Sequence, residues 1–107
     1  MGVRYRAIIK RPDEVYGHVT NISTSLENLQ KTVDGPIEVV PLVNGNVLIV
    51  NEEGKLRKLQ RNFIMGKIPF HDVIVGTVIV IGAKGEEFVD TTLEFKTWKW
   101  LLELWGN

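Results

Sequence analysis

Residues 24–59 read TSLENLQKTVDGPIEVVPLVNGNVLIVNEEGKLRKL, and helix, strand and turn signals follow one another along this stretch. Thr24-Ser25-Leu26-Glu27 is a capping box, in which the threonine hydroxyl caps a free backbone amide and the glutamate reaches back to the cap. Apolar residues then recur at helical spacing until Asp34-Gly35-Pro36, a combination that ends helices. The first half of the stretch therefore predicts a helix that begins at Thr24 and ends before Asp34.

The second half of the stretch predicts a meander of three strands. Residues 37–43 alternate in polarity and lead into Asn44-Gly45, the strongest short hairpin signal. Residues 47–50 would return antiparallel, and a turn over residues 51–55 would lead into a third strand at residues 56–59. In that turn we expect Gly54 to take a positive φ, which glycine adopts at no steric cost.

The flanking segments predict further strands and a second helix. Residues 3–9 alternate with their neighbours in polarity and predict a strand, and residues 15–22 predict a second strand that pairs back on it as a hairpin. The run at 73–81 is almost wholly β-branched and apolar on both faces, which predicts one central, doubly covered strand. A short strand follows at residues 86–89, and a second capping box, Thr91-Thr92-Leu93-Glu94, predicts the start of a C-terminal helix.

Together these elements predict a single α+β domain over residues 1–107. It would hold a mixed sheet of about six strands, one helix after the first hairpin and one helix at the C-terminus. A hairpin followed by a helix across a mixed sheet is compatible with a β-grasp-like core. The length is sufficient for one hydrophobic core.

Composition narrows the classes of function. The 13 basic and 13 acidic side chains cancel, so no net field favours a nucleic acid or a membrane. The lack of cysteine removes disulfides and thiolate nucleophiles, and it fits a reducing compartment. The N-terminus has no apolar core of a signal peptide, and no apolar run reaches the roughly 20 residues of a membrane span. We therefore expect a cytoplasmic protein with no membrane partner, no cofactor and no metal.

An ordered set of motifs lies between residues 24 and 82. It comprises Leu26-Glu27-Asn28-Leu29-Gln30, Gly35-Pro36-Ile37-Glu38-Val39-Val40, Val50-Asn51-Glu52-Glu53-Gly54-Lys55-Leu56, then Leu59, Asn62, Ile74-Val75-Gly76-Thr77 and Val80-Ile81-Gly82. In this order the motifs resemble a bacterial and bacteriophage domain-of-unknown-function family, number thirty-eight forty-six. The resemblance implies a small α+β domain in a phage or mobile-element setting. It implies no activity, cofactor or catalytic residue.

A basic segment at residues 55–67 is the strongest candidate for binding, because no acid lies between Gly54 and Phe70. The candidate ligand- or phosphate-binding residues are Lys55, Arg57, Lys58, Arg61, Asn62 and His71. A second basic stretch on the first strand, at residues 4–11, would extend this face if the two adjoin. The alternative is a solvated sheet edge, where lysine and arginine oppose aggregation. A small anionic ligand would fit the first interpretation, and nucleic acid is a less favoured partner.

His71-Asp72 is the one adjacent pair that resembles a general base with its orienting carboxylate. It lies in residues 60–72, which follow no period and predict one long irregular loop. The chain has no cysteine and no serine elbow to supply a nucleophile. We therefore predict no catalytic residue and no enzyme activity.

The C-terminal helix carries more apolar surface than one sheet face can cover. The candidate interface residues on it are Trp98, Trp100, Leu101, Leu104 and Trp105. Either the whole set is buried in the monomer, or part of it forms a homodimer or docks a host protein. The leading hypothesis is a non-enzymatic protein-interaction or ligand-binding module of phage or mobile-element origin. The alternative is a nucleic-acid- or nucleotide-binding accessory protein that uses segment 55–67.

Overall fold

The structure, a computed structural model, describes residues 3–67 and 69–107. Within these residues the strands and helices are β1 (Arg4–Lys10), β2 (His18–Ser23), α1 (Leu26–Val33), β3 (Ile37–Pro41), β4 (Asn46–Asn51), β5 (Arg61–Met65), β6 (Asp72–Val75), β7 (Val78–Lys84), β8 (Glu87–Val89) and α2 (Phe95–Leu104). None of the helices found there has the length and apolar character needed to cross a membrane.

A six-stranded sheet forms the middle layer, with strand order β2-β1-β7-β4-β3 and β8 paired to β7. β5 and β6 form a separate two-stranded hairpin. Strand β7 is central because it is apolar on both faces: Val78 and Val80 enter one core, and Ile79 and Ile81 enter the other. Such a strand is stable only with both faces covered.

Two different layers cover the two faces of this sheet. Helix α1 lies on one face, where Leu29 and Val33 pack in the core with Ile79. Helix α2 and the β5–β6 hairpin share the other face, where Phe63 and Trp98 pack in the core with Val78 and Val80. The described residues therefore form three layers, with the sheet in the middle.

These observations confirm the predicted α+β class, the helix after the first hairpin and the C-terminal helix. The sheet has six strands, but every pairing found among the described residues is antiparallel. The prediction of a mixed sheet is therefore corrected. The β-grasp-like interpretation rested on a mixed sheet, so it is not supported either.

Both helix starts differ in detail from the predicted capping boxes. Ser25, not Thr24, is the N-cap of α1, and its hydroxyl accepts a hydrogen bond from the Asn28 amide at 3.2 Å. At α2 the N-cap is Glu94, whose side chain makes no capping hydrogen bond. The hydroxyl of Thr91 instead donates to the Asn46 side chain at 2.7 Å. This threonine ties the approach to α2 to strand β4 rather than capping the helix.

The predicted third strand of the meander is wrong. Residues 52–59 form consecutive turns closed by local bonds, such as the Arg57 amide to the Glu53 carbonyl at 2.9 Å. Lys58, rather than Gly54, takes the positive φ, of 56°. The strand comes later, as β5 at residues 61–65, so the predicted long loop over residues 60–72 is also corrected.

The predicted single strand at residues 73–81 is divided at Gly76. This glycine has a φ of 73°, a left-handed conformation that interrupts a strand, so β6 and β7 belong to different sheets. A Cβ on Gly76 would lie 2.9 Å from Cδ1 of Leu59. The glycine is therefore required both by the backbone angle and by the close approach of Leu59.

We predict that replacing Gly76 with alanine lowers the free energy of unfolding by about 1–2 kcal/mol, the cost of a left-handed non-glycine residue, plus a contribution from the Leu59 contact. Gly85→Ala is the matched control, because Gly85 has a φ of 62° and no atom within 4 Å of its added Cβ. Urea denaturation of both variants measures the difference. Equal losses would mean that the contact with Leu59 adds nothing.

Candidate functional site: a cavity beside the β5–β6 hairpin

A cavity of about 230 Å³ opens between the β5–β6 hairpin and the edge of the main sheet. Its walls come from three strands and one turn that are far apart in the sequence. The lining residues are Glu38, Val40, Val50, Asn51, Glu52, Lys55, Asp72, Val73, Ile74 and Val75.

The position of the cavity follows from the order of elements in the layer that holds α2 and the hairpin. Helix α2 contacts β5, and Asn62 of β5 is bonded to Lys10 of β1. The next strand, β6, contacts β4. Beyond β6, above β3, no described strand or helix occupies the layer, and this is where the cavity lies.

The floor of the cavity is apolar. Glu38 pairs with Val50 across β3 and β4, so Glu38, Val40 and Val50 share the face of the sheet that carries α2 and the hairpin. Val50 and Ile74 are buried, and Val40 packs against the same core. The floor is therefore a continuation of the hydrophobic core that reaches solvent.

The rim of the cavity is acidic. Glu38 and Glu52 are exposed, and neither carboxylate makes a salt bridge or hydrogen bond with any other residue that the structure describes. Asp72 accepts a hydrogen bond from Nζ of Lys55 at 2.6 Å. Three carboxylates thus face one ammonium group, which leaves a negative potential over the apolar floor. Within the described residues no group of acids and histidines has the arrangement of a metal site.

Asn51 holds the rim in place. Its Nδ2 donates to the carbonyls of Val33 and Asp34, both at 3.0 Å, at the C-terminal end of α1. Its Oδ1 accepts a hydrogen bond from the Glu53 amide at 2.8 Å. The bond from Asn51 to Val33 of α1 spans 18 residues, so no local motif in the sequence indicates it.

The predicted basic segment is partly neutralised. Lys55 pairs with Asp72, and Arg57 donates to the Asp34 carbonyl at 2.6 Å and to its carboxylate at 3.1 Å. Lys58 and Arg61 are exposed. Binding of a ligand by these residues stays a prediction.

The side chain of Asn62 is engaged in hydrogen bonds within the protein. Its Nδ2 donates to the carbonyls of Lys10 at 2.8 Å and Gly76 at 2.7 Å, and its Oδ1 accepts from Nζ of Lys10 at 2.6 Å. Arg6 is likewise engaged, with the carbonyls of Thr91 and Leu93. The basic face that β1 was expected to share with segment 55–67 therefore lacks Arg6 and Lys10.

His71 is exposed and makes no side-chain hydrogen bond with the rest of the described chain. The carboxylate of Asp72 binds Lys55 instead. The expected pairing of this histidine with an orienting carboxylate is therefore not formed.

The residues of α2 divide between core and surface. Trp98 and Leu101 are buried in the monomer, so the prediction that they form an interface is corrected: their helix face is covered by the sheet and the hairpin. Trp105 is half-buried and stacks on Phe63 at 6.2 Å between ring centroids. Trp100 and Leu104 remain exposed. A homodimer through α2 stays a prediction that now depends on these two side chains.

Comparison with known proteins identifies a family for this chain. The family described as "Domain of unknown function (DUF3846)" matches residues 5–103. No curated protein and no solved structure matches the chain. The match covers nearly the whole chain and includes every strand and helix except the first residue of β1 and the last residue of α2. The chain belongs to the DUF3846 family.

Proposed function

We propose that this protein is a non-enzymatic binding module whose cavity accepts a basic group carried on a short apolar chain. The observation that carries the proposal is the pair of unpaired carboxylates, Glu38 and Glu52, above a floor of Val40, Val50 and Ile74. Lysine and arginine side chains have this combination of an apolar stem and a charged end.

The size of the cavity supports a ligand of side-chain dimensions. Pockets for drug-sized ligands and cofactors have volumes of about 300–1,000 Å³, and this cavity measures about 230 Å³. A single amine or guanidinium with a few methylene groups is the more suitable occupant. The acidic rim argues against the small anionic ligand that the basic segment had suggested.

The contact between Lys55 and Asp72 supports an ammonium ligand in particular. At 2.6 Å, Nζ of Lys55 makes the contact with the rim that a bound amine would make. Both side chains are more than half exposed, so the pair contributes only about 0–1 kcal/mol. A ligand amine can therefore replace Lys55 on Asp72 at little cost.

Nucleotide or nucleic-acid binding is the alternative function, and fewer observations support it. Nucleotide or nucleic-acid binding by segment 55–67 has less charge available, because Lys55 and Arg57 already face carboxylates. The phage or mobile-element setting and the cytoplasmic location rest on the sequence alone.

We predict that n-butylammonium binds in the cavity with a millimolar Kd, since a fragment of this size gains only a few kcal/mol. The measurement is a nuclear magnetic resonance titration that follows the methyl groups of Val40, Val50 and Ile74. Butyrate and 1-butanol have the same carbon chain with a negative charge or none, and both should bind more weakly. Equal shifts with all three compounds would contradict an electrostatic site.

The acidic rim is tested by Glu38→Gln and Glu52→Gln, each of which should weaken n-butylammonium binding about three- to tenfold. Glu27→Gln is the matched control, because Glu27 is an exposed acid on α1, on the opposite face of the sheet. Unchanged affinity in both rim variants would show that the cavity is not the site.

A further inference from the structure

We infer that the natural occupant of the cavity is an extended peptide segment of a partner protein, which pairs with the free edge of β6 and places one basic side chain between Glu38 and Glu52. This inference rests on the proposed function and deepens it, because it names the partner class.

The cavity borders the edge of β6. Asp72, Val73, Ile74 and Val75 all line it, although successive side chains of a strand point to opposite faces. A run of four consecutive lining residues means that the strand presents its edge to the cavity. Among the described strands β6 pairs only with β5, so the backbone groups on this edge are unpaired.

The layer that holds α2 and the β5–β6 hairpin has room for one more strand beside β6. The order α2, β5, β6 leads across the face of the main sheet from β1 towards β3. A further strand would lie about 4.7–4.9 Å from β6, above β3. It would cover Val40, which the monomer leaves only half-buried. Adding a strand to an exposed edge is a common mode of peptide recognition.

Charge complementarity with the cavity sets the sequence pattern of the peptide. Alternate residues of an added strand point towards the main sheet. One of them would meet the carboxylates of Glu38 and Glu52, and the next would lie over Val40. The expected pattern is therefore a basic residue and an apolar residue separated by one position.

The outer edge of β3 is a poorer place for the peptide. The bonds from the Glu52 amide to the Pro36 carbonyl and from the Leu42 amide to the Asn46 carbonyl show that even-numbered residues of β3 face β4. The outward-facing residues are then Ile37, Val39 and Pro41. Proline has no amide hydrogen to donate and is typical of protected sheet edges.

The test uses the peptide acetyl-TKTVT-amide, whose lysine and valine lie on one side of a strand. It should bind at least about tenfold more tightly than n-butylammonium, because it adds backbone hydrogen bonds and buried area. The isomer acetyl-TKVTT-amide places lysine and valine on opposite sides and should bind less well. Equal affinity of the two peptides would overturn the inferred pattern.

Backbone pairing is tested by two N-methylated forms of the same peptide, one methylated at the odd amides and one at the even amides. Only one set can face β6, so one form should lose about tenfold in affinity and the other should keep it. If both forms bind as the parent does, the edge pairing is wrong, while n-butylammonium binding would still support the proposed function.

Sedimentation gives a separate check: a dimer that the peptide dissociates would identify the occupant as a second copy and overturn the partner inferred here.

Discussion

Replacing Trp98 with alanine should lower the free energy of unfolding by about 3–5 kcal/mol, the usual cost of truncating a large buried aromatic side chain. Trp98 is fully buried, and its ring lies edge-on to two other aromatic rings. The distance between ring centroids is 5.5 Å to Phe63 and 6.2 Å to Trp105. Its indole nitrogen also donates to the Tyr16 carbonyl at 2.8 Å. The substitution therefore removes the packing contacts of a buried aromatic ring and leaves the Tyr16 carbonyl without its hydrogen-bond donor.

Trp100→Ala is the matched control, because Trp100 lies two residues away on α2 with 57% of its surface exposed. It should change the free energy of unfolding by no more than about 0.5 kcal/mol, as is usual for surface substitutions. Thermal denaturation should show a fall in Tm of more than about 10 °C for Trp98→Ala and little change for Trp100→Ala. Similar melting temperatures would mean that the aromatic cluster does not hold α2 on the sheet.

Features specified by neighbouring residues were predictable from the sequence. Asn44-Gly45 forms the expected turn, with φ values of 56° and 74°, because this dipeptide tolerates left-handed conformations. Helix α1 ends at Asp34 and Gly35 as predicted. In each case the signal and the structure it specifies lie within a few residues of each other.

Features that depend on distant contacts were not predictable. The run at residues 73–81 has strand propensity throughout, and only its packing against Leu59 and the angle at Gly76 show where the chain leaves one sheet for another. Residues 56–59 were predicted as a strand because they follow a turn signal. Their local hydrogen bonds with residues 53–55 prevail instead.

The candidate site also depends on contacts between residues that are far apart in the sequence. Segment 55–67 stands out in the sequence because its positive charges are contiguous, but Lys55 and Arg57 pair with acids 17 and 23 residues away. The carboxylates that line the cavity come from β3, the turn after β4, and β6. No short motif contains them, so the acidic character of the site becomes visible only when these elements are placed together.

Asn62→Leu should have the second largest effect, a loss of about 3 kcal/mol, because it leaves a buried charged group without its hydrogen bond. Lys10 is only 3% exposed, and its Nζ donates to Oδ1 of Asn62 at 2.6 Å. The ammonium also lies 5.8 Å from the centre of the Phe63 ring. Removal of the amide strips the main polar contact from this lysine and loosens β5 from β1.

A double-mutant cycle separates the lysine–asparagine contact from other effects of the substitution. Lys10→Met alone removes the charge, and the double variant with Asn62→Leu removes both partners. The double variant should lose about 1–3 kcal/mol less than the sum of the single variants, since no buried charge remains unpaired. Additive losses would show that Lys10 and Asn62 are not coupled.

The stability loss caused by Asn62→Leu should depend on pH, because it acts through the charge of Lys10. Burial lowers the pKa of Lys10 from its usual 10.5, an effect that Glu14 and Asp13 partly offset, and loss of Asn62 should lower it further. Between the folded and unfolded pKa values the unfolded chain binds more protons, so stability rises with pH in that interval. The destabilisation by Asn62→Leu, measured against wild type by urea denaturation, should therefore shrink as the pH approaches 10.5. Measured against Lys10→Met, the double variant should show no such trend, because both of these proteins lack the lysine. The opposing contribution of Tyr16, whose pKa is raised by its hydrogen bond to Glu103, cancels in both comparisons. A pH-independent loss in Asn62→Leu would mean that Lys10 reaches solvent once its partner is removed.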